Sequence, residues 1–259
     1  MNFLEAFLVG LVGGMADFLP LGGSGHRILV GRVFFGRAYD REFAGVCEMF
    51  AALAGIVALR KEVTGLLRSL RQPGTGGRRV AGLLIVAAAT TVFVSLPFEG
   101  AAARLSGDLV VVGVLFLVSG LLLYVAEEIG RRTRPLGALG LPGAVLIGLL
   151  GALAVLPGIG RMGTTVSGGM LLGIVREAAT DFALLLSVPL LMVAGLWNLS
   201  SGAGGAGAWV LTLGAAASFA GGFLAVGFLR WYVREFSLMI FAYYLWPVGV
   251  FAILYEYLG

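Results

Sequence analysis

The sequence predicts an all-α integral membrane protein made of two inverted-topology repeats, with six transmembrane helices and two re-entrant helix hairpins in a single membrane domain, residues 1–259. Three observations predict it. Of the 259 residues, 59% are hydrophobic and 12% charged, with a mean hydropathy of +0.99, far from the composition of a domain dissolved in water. Six apolar runs approach the roughly 20 residues that a helix needs to cross a bilayer. A Leu-Pro turn recurs, at Leu19-Pro20 and again 137 residues later at Leu156-Pro157.

The elements follow in chain order. Region 1–35 is apolar but interrupted by Asp17, Pro20 and a run of glycines, so it reads as two half-helices meeting at a turn. Its start carries Glu5, no basic n-region and no small-residue cleavage pattern, and is expected to be mature structure rather than a signal peptide. Spans are expected at 43–59, 79–96 and 108–126. Region 137–175 is broken like the first, and spans are expected at 181–197, 207–229 and 236–257. Repeat 1 then covers about 1–130 and repeat 2 about 137–259. Three spans follow each broken region, and an odd number between the copies inverts the second, which puts a binding site at the repeat interface near mid-membrane. The 42 glycines let helices approach closely. Gln72 to Gly77 and Ser200 to Gly207 are expected to be flexible connections.

Loop charges orient the chain. Arg60, Lys61, Arg68, Arg71, Arg78 and Arg79 mark the first long loop as cytoplasmic, whereas the loop near 197–207 carries no charge. Arg131, Arg132 and Arg134, and Arg230 with Arg234, fall inside too, provided that 137–175 enters and leaves on one side. The N-terminal hairpin then faces out, where Arg32, Arg37 and Arg41 form an excess of positive charge that Asp40 and Glu42 balance only in part. The net charge of +4 and the pI near 9.6 are explained by these loops, so nucleic acid is not an expected partner. Cys47 is the single cysteine, which excludes an internal disulfide and a Cys-based metal cluster. Trp197, Trp209, Trp231 and Trp246 read as interfacial belt residues. Arg176, Glu177 and Asp181 read as flanking groups of the span 181–197.

A charge in the apolar interior costs several kcal/mol unless it is paired, hydrated or used, so ionisable residues inside the membrane mark function. Asp17, His26, Glu48 and Arg161 qualify. In the second turn Gly158 and Gly160 would let backbone N–H groups face a ligand, a helix N-terminus supplies positive potential, and Arg161, Thr164 and Thr165 add donors, which together suit a phosphate. The alternative is a simple helix break with Arg161 neutralised by Asp17 or Glu48. In the first turn Gly23, Ser24 and His26 are candidate phosphate partners, with His26 also a candidate proton donor or a core histidine. Asp17 and Glu48 are a candidate pair for a divalent metal, Mg²⁺ or Ca²⁺, or else for an acid–Arg pair.

At these residues the chain resembles the undecaprenyl pyrophosphate phosphatase family of bacterial membrane proteins over nearly its whole length. The resemblance is carried by Asp17-Phe18-Leu19-Pro20-Leu21-Gly22-Gly23-Ser24-Gly25-His26, by Pro157-Gly158-Ile159-Gly160-Arg161-Met162-Gly163-Thr164-Thr165 with Ser167-Gly168-Gly169, and by Asp181-Phe182 to Val188-Pro189. It implies a multi-pass protein of the bacterial inner (plasma) membrane with an outward-facing site that removes the terminal phosphate of undecaprenyl pyrophosphate. Several positions depart from the family pattern. Its first acid falls on Gly13, its second is shortened to Asp17, its Ser pair falls on Gly22 and Gly23, its motif serines fall on Gly160 and Met162, a span acid falls on Ala44, and Glu48 stands where a neutral amide is usual. These departures lead to an expectation of a divergent member that binds a polyprenyl phosphate or pyrophosphate head group, as a lipid-carrier binding or translocating protein, without hydrolysing it. The alternative is an active phosphatase in which Asp17, His26, Glu48 and Arg161 are catalytic. Beyond the lipid substrate and the surrounding membrane lipids, a homodimer is compatible with either reading.

Overall fold

A computed structural model describes residues 1–36, 40–71, 76–201 and 205–258. Two short helices, α1 (Phe3–Phe18) and α2 (Gly23–Phe35), form the first hairpin. An Asn2/Glu5 capping box starts α1, and Gly22, at φ 83°, turns the chain into α2. Next come α3 (Arg41–Ala58), α4 (Arg60–Leu70), α5 (Gly76–Ser95), α6 (Glu99–Leu105) and α7 (Leu109–Ile129). The second hairpin is α8 (Leu141–Ala152) and α9 (Arg161–Leu171), and α10 (Arg176–Ser201), α11 (Ala208–Glu235) and α12 (Met239–Leu258) complete the chain.

These elements match the expected all-α membrane architecture. Five helices are long and apolar enough to cross a membrane, and the count becomes six when α3 joins α4 across a 79° bend. Both broken regions are helix pairs; at 12 and 11 residues, α8 and α9 each rise only about 16–18 Å, against a hydrocarbon core of about 30 Å. Among the described residues there is no strand, only an isolated bridge between Arg134 and Ile174. Arg37 and the centres of the two loops expected to be flexible, residues 72–75 and 202–204, lie outside the described residues.

Helix pairing crosses between the halves of the chain. The helix α1 packs along α11, α8 along α5, α3 along α10, and α7 along α12. Small residues set these approaches: a side chain at Gly45 would meet the Gly195 carbonyl at 2.8 Å, and one at Gly10 would meet that of Gly214 at 2.6 Å. Trp246, expected in an interfacial belt, instead packs on α7, where Gly120 makes room for its indole. Trp197, Trp209 and Trp231 are exposed, as the belt reading requires.

A cluster of ion pairs gathers at one end of the bundle. The Glu127 carboxylate, 1% exposed, accepts from the Arg176 Nε and Nη2 at 2.8 Å each, from Arg132, and from the Leu238 N–H at 2.7 Å, which ties α7 to the starts of α10 and α12. Nearby Arg230 bridges Glu62 and Asp181. At this same end the Arg134 N–H donates to the Gly173 carbonyl and the Val175 N–H to the Arg134 carbonyl, so the segment entering α8 and the segment leaving α9 are bonded side by side. At the other end Arg32, part of the outer excess of positive charge, pairs with Glu256 and donates to the Gly107 carbonyl.

Candidate functional site

The two hairpin tips touch. A side chain at Gly22 would lie 2.6 Å from the Gly158 carbonyl, and one at Gly160 would lie 2.9 Å from the Gly22 nitrogen, so only bare backbone fits on either side of the contact. Beside it, toward the end opposite the Glu127 cluster, lies a cavity of about 380 Å³. Both hairpins and α3, α6 and α10 enclose it. Asp17, Gly23, Ser24, Arg27, Glu48 and Arg161 line it, with Arg41, Glu99, Ser106 and Asn198 around them. A smaller recess adjoins it, sharing Glu99 and Arg161 and continuing between α5 and α10 over Val92, Leu96, Leu190, Val193 and Trp197.

Five of the residues singled out by the sequence, Asp17, Gly23, Ser24, Glu48 and Arg161, therefore share one cavity. Arg41 joins them, which gives part of the unbalanced positive charge near the first hairpin a place at the site. Arg161 forms no ion pair within 4.0 Å among the described residues and is only half-buried, leaving its guanidinium available to an anion. The Asp17 carboxylate overlies Gly23 at the first turn of α2, where a helix N-terminus favours negative charge.

Other assignments change. Arg161 is not the partner of either buried acid. That partner is Arg27, whose Nη1 donates to Asp17 Oδ2 at 2.8 Å and whose Nη2 donates to Glu48 Oε1 at 2.9 Å, with its side chain 2% exposed. Asn198 of α10 donates to the other Glu48 oxygen at 2.9 Å. The acid–Arg pair expected with Arg161 is made instead by Arg27, a residue that sequence reasoning passed over. Two acids in an apolar segment demand a nearby cation, and Arg27 lies three residues after Ser24, on the same face of α2; that requirement was the available signal.

His26 does not line the cavity. It is buried on the other side of α2, its Nδ1 3.0 Å from the Gly22 carbonyl, its Nε2 3.1 Å from the Tyr244 hydroxyl, and its ring against Phe116. Successive helix residues turn by about 100°, so Ser24 and Arg27 share a face that His26 leaves. Thr164 and Thr165 are buried and spend their hydroxyl protons on the Arg161 carbonyl, at 3.0 and 2.8 Å, the back-bonding common to helical threonines. The Gly160 N–H donates to Ser119 of α7 at 3.3 Å, and Gly158 packs on α7, so the backbone of the second turn is not presented to the cavity as expected.

A divalent ion between Asp17 and Glu48 does not fit this arrangement. Mg²⁺ and Ca²⁺ take six or more oxygens, whereas three of the four carboxylate oxygens here already accept from Arg27 and Asn198. No third carboxylate, His or Cys joins the pair among the described residues.

Two short hairpins meeting tip to tip in a bundle of apolar helices, beside a cavity lined by arginines and carboxylates, define a polytopic membrane protein with a polar site between its hairpins. Its relatives say which. Residues 6–251 match the family of the bacitracin resistance protein BacA, and the chain belongs to that family. It is 33% identical to the undecaprenyl-diphosphatase of Rubrobacter xylanophilus over 94% of each chain. It is 34% identical to that of Anaeromyxobacter sp. over 96% of this chain and 86% of the relative, and 28% identical to that of Corynebacterium glutamicum over 100% and 92%.

Proposed function

We propose that the protein is an undecaprenyl-diphosphatase, releasing phosphate from the pyrophosphate head of undecaprenyl pyrophosphate in the bacterial plasma membrane. The observation that carries this reading is the shared cavity of Ser24 and Arg161, one from each hairpin, in a chain whose relatives bear that name. Arg161 would hold the terminal phosphate by forked, charge-assisted hydrogen bonds. Ser24 would attack the terminal phosphorus, Asp17 would take its proton, and the bridging oxygen would leave on the lipid monophosphate; water would then attack the phosphoserine, releasing phosphate and restoring the Ser24 hydroxyl, or a water beside Ser24 would attack directly and release phosphate in one step. The recess over Leu190, Val193 and Trp197 would receive the first part of the polyprenyl tail. His26 would hold the first turn rather than move a proton to substrate.

The same reading makes the chain an inverted repeat with two re-entrant hairpins and the site outward-facing. Helix pairing supports the repeat: Gly14 of α1 packs on Ser218 of α11, and Gly151, at the same 137-residue offset, packs on Thr91 of α5. The outward site is supported by the basic loops, which lie at the end away from the cavity.

A second reading, head-group binding or translocation without hydrolysis, is favoured by one observation: Arg27 occupies an oxygen of each buried carboxylate, and the remaining Glu48 oxygen is taken by Asn198. Incubation of the purified protein with undecaprenyl pyrophosphate separates the two. Phosphate release that Ser24→Ala and Arg161→Ala each lower at least tenfold supports the phosphatase; tight binding without release supports the carrier; neither release nor binding removes both.

A further inference from the structure

The site carries a positive charge of its own where carboxylates would otherwise call for an ion. We propose that Arg27 is a resident cation, standing between Asp17 and Glu48 in the place of a divalent metal, so that the cavity takes its phosphate head group without Mg²⁺ or Ca²⁺. The inference rests on the reading of the cavity as a head-group site and goes beyond it in naming the counter-charge.

Three observations carry it. The guanidinium bridges the acids with one N–H contact to each, and Asn198 closes the remaining Glu48 oxygen, so three carboxylate oxygens already accept hydrogen bonds that a metal would have to displace. Space for the side chain exists because position 13 is glycine: a Cβ there would lie 2.8 Å from Arg27 Cδ, Cγ and Nη1, inside the arginine itself. The acid at position 48 completes the set, since it holds the guanidinium from a second side, whereas a neutral residue there would leave Arg27 paired with Asp17 alone.

The consequences are chemical. Arginine stays protonated at every accessible pH, so this cation cannot be lost to chelation or to mild base. It is fixed to α2, whose first turn also carries Gly23 and Ser24, so it keeps one position relative to them as ligand enters. With the acids half-neutralised, an incoming phosphate meets one excess negative charge at the cavity floor instead of two, and Arg161 and Arg41 supply the attraction from above.

The test uses the full chain in detergent. Affinity for farnesyl pyrophosphate and phosphate release from undecaprenyl pyrophosphate are measured in excess EDTA and again with Mg²⁺ or Ca²⁺, and the melting temperature is followed against Ca²⁺ concentration. Binding, any release, and melting temperature are expected to be unchanged by EDTA in the wild-type chain. Arg27→Met, which uncovers both acids, is expected to bind weakly in EDTA, to recover with Ca²⁺ or Mg²⁺, and to gain a Ca²⁺-dependent rise in melting temperature that the wild type lacks. Should Arg27→Met not fold, Arg27→Met/Glu48→Gln lowers the uncovered charge, and ion-dependent binding in it supports the proposal as well. Loss of wild-type binding in EDTA with recovery in Mg²⁺ overturns the resident cation and leaves the head-group reading standing. Binding in neither condition removes the head-group reading and the proposal with it.

Discussion

The Nη2 of Arg27 stands 2.9 Å from Oε1 of Glu48, joining the returning leg of the first hairpin to α3, with both side chains no more than 8% exposed. Around this contact the site has two kinds of cation. Arg27 is committed to the protein's own acids, and Arg161 is left for a ligand.

Arg161→Ala should therefore weaken function without unfolding the chain. Loss of a forked, charge-assisted contact costs about 1.5–3 kcal/mol, roughly a ten- to hundredfold drop in catalytic efficiency for phosphate release or in affinity for a polyprenyl pyrophosphate. Arg161→Lys should recover only part of it, because an ammonium lacks the fork. Equal efficiency for Arg161→Ala and wild type would place the anion elsewhere.

Glu127→Ala should do the opposite. Its carboxylate is buried under Arg176, Arg132 and the Leu238 N–H, and its removal strands those donors, which costs about 3–5 kcal/mol for a buried pair broken on one side. Thermal unfolding in detergent should shift down markedly, while the protein that remains folded keeps its affinity for head group, since this cluster lies at the end away from the cavity.

Tyr244→Phe probes the histidine. Only the hydrogen bond to His26 Nε2 is lost, about 1 kcal/mol, and phosphate release should stay near wild type. His26→Ala should be much worse, since it removes the hold on the Gly22 carbonyl and the ring packed on Phe116. A Tyr244→Phe variant as impaired as Ser24→Ala would instead assign the His26–Tyr244 pair to proton transfer.

Gly22→Ala compared with Gly36→Ala separates strain from collision. Both glycines have positive φ, 83° and 65°, and each should lose about 1–2 kcal/mol on that account. At Gly36 nothing lies within 4 Å of the new methyl, so the loss should stop there. At Gly22 the methyl enters the Gly158 carbonyl, and the hairpin tips must part, so melting temperature and head-group affinity should fall together.

The spans, both hairpins and the meeting of Asp17, Ser24, Glu48 and Arg161 were legible because they follow from apolar run length, helix-breaking residues and the high cost of charge in an apolar medium. What stayed hidden depended on helix phase and on local hydrogen bonding. Whether His26 or Arg27 faces the cavity is decided by the residue at which α2 begins, one position swinging the side chain by about 100°. The threonines after Arg161 look like ligand donors in a motif, yet a hydroxyl inside a helix has a carbonyl one turn back within reach. Arg27 was obscured by its neighbour: a histidine in an apolar hairpin draws attention that the charge balance of the two acids assigns to the arginine.

The crossed pairing of α1 with α11 and α5 with α8 has a consequence for how the chain is made. Synthesis runs from the N-terminus, so α8 emerges when α5 is already in place to receive it, whereas α1 must wait through most of translation before α11 exists. The two hairpins thus begin under different conditions: the second is docked almost at birth, and the first spends its early life without the helix that will cover it. A chain stopped before residue 208 would carry a finished second hairpin and an orphaned first one, with Gly10 and Gly14 turned toward a partner not yet made.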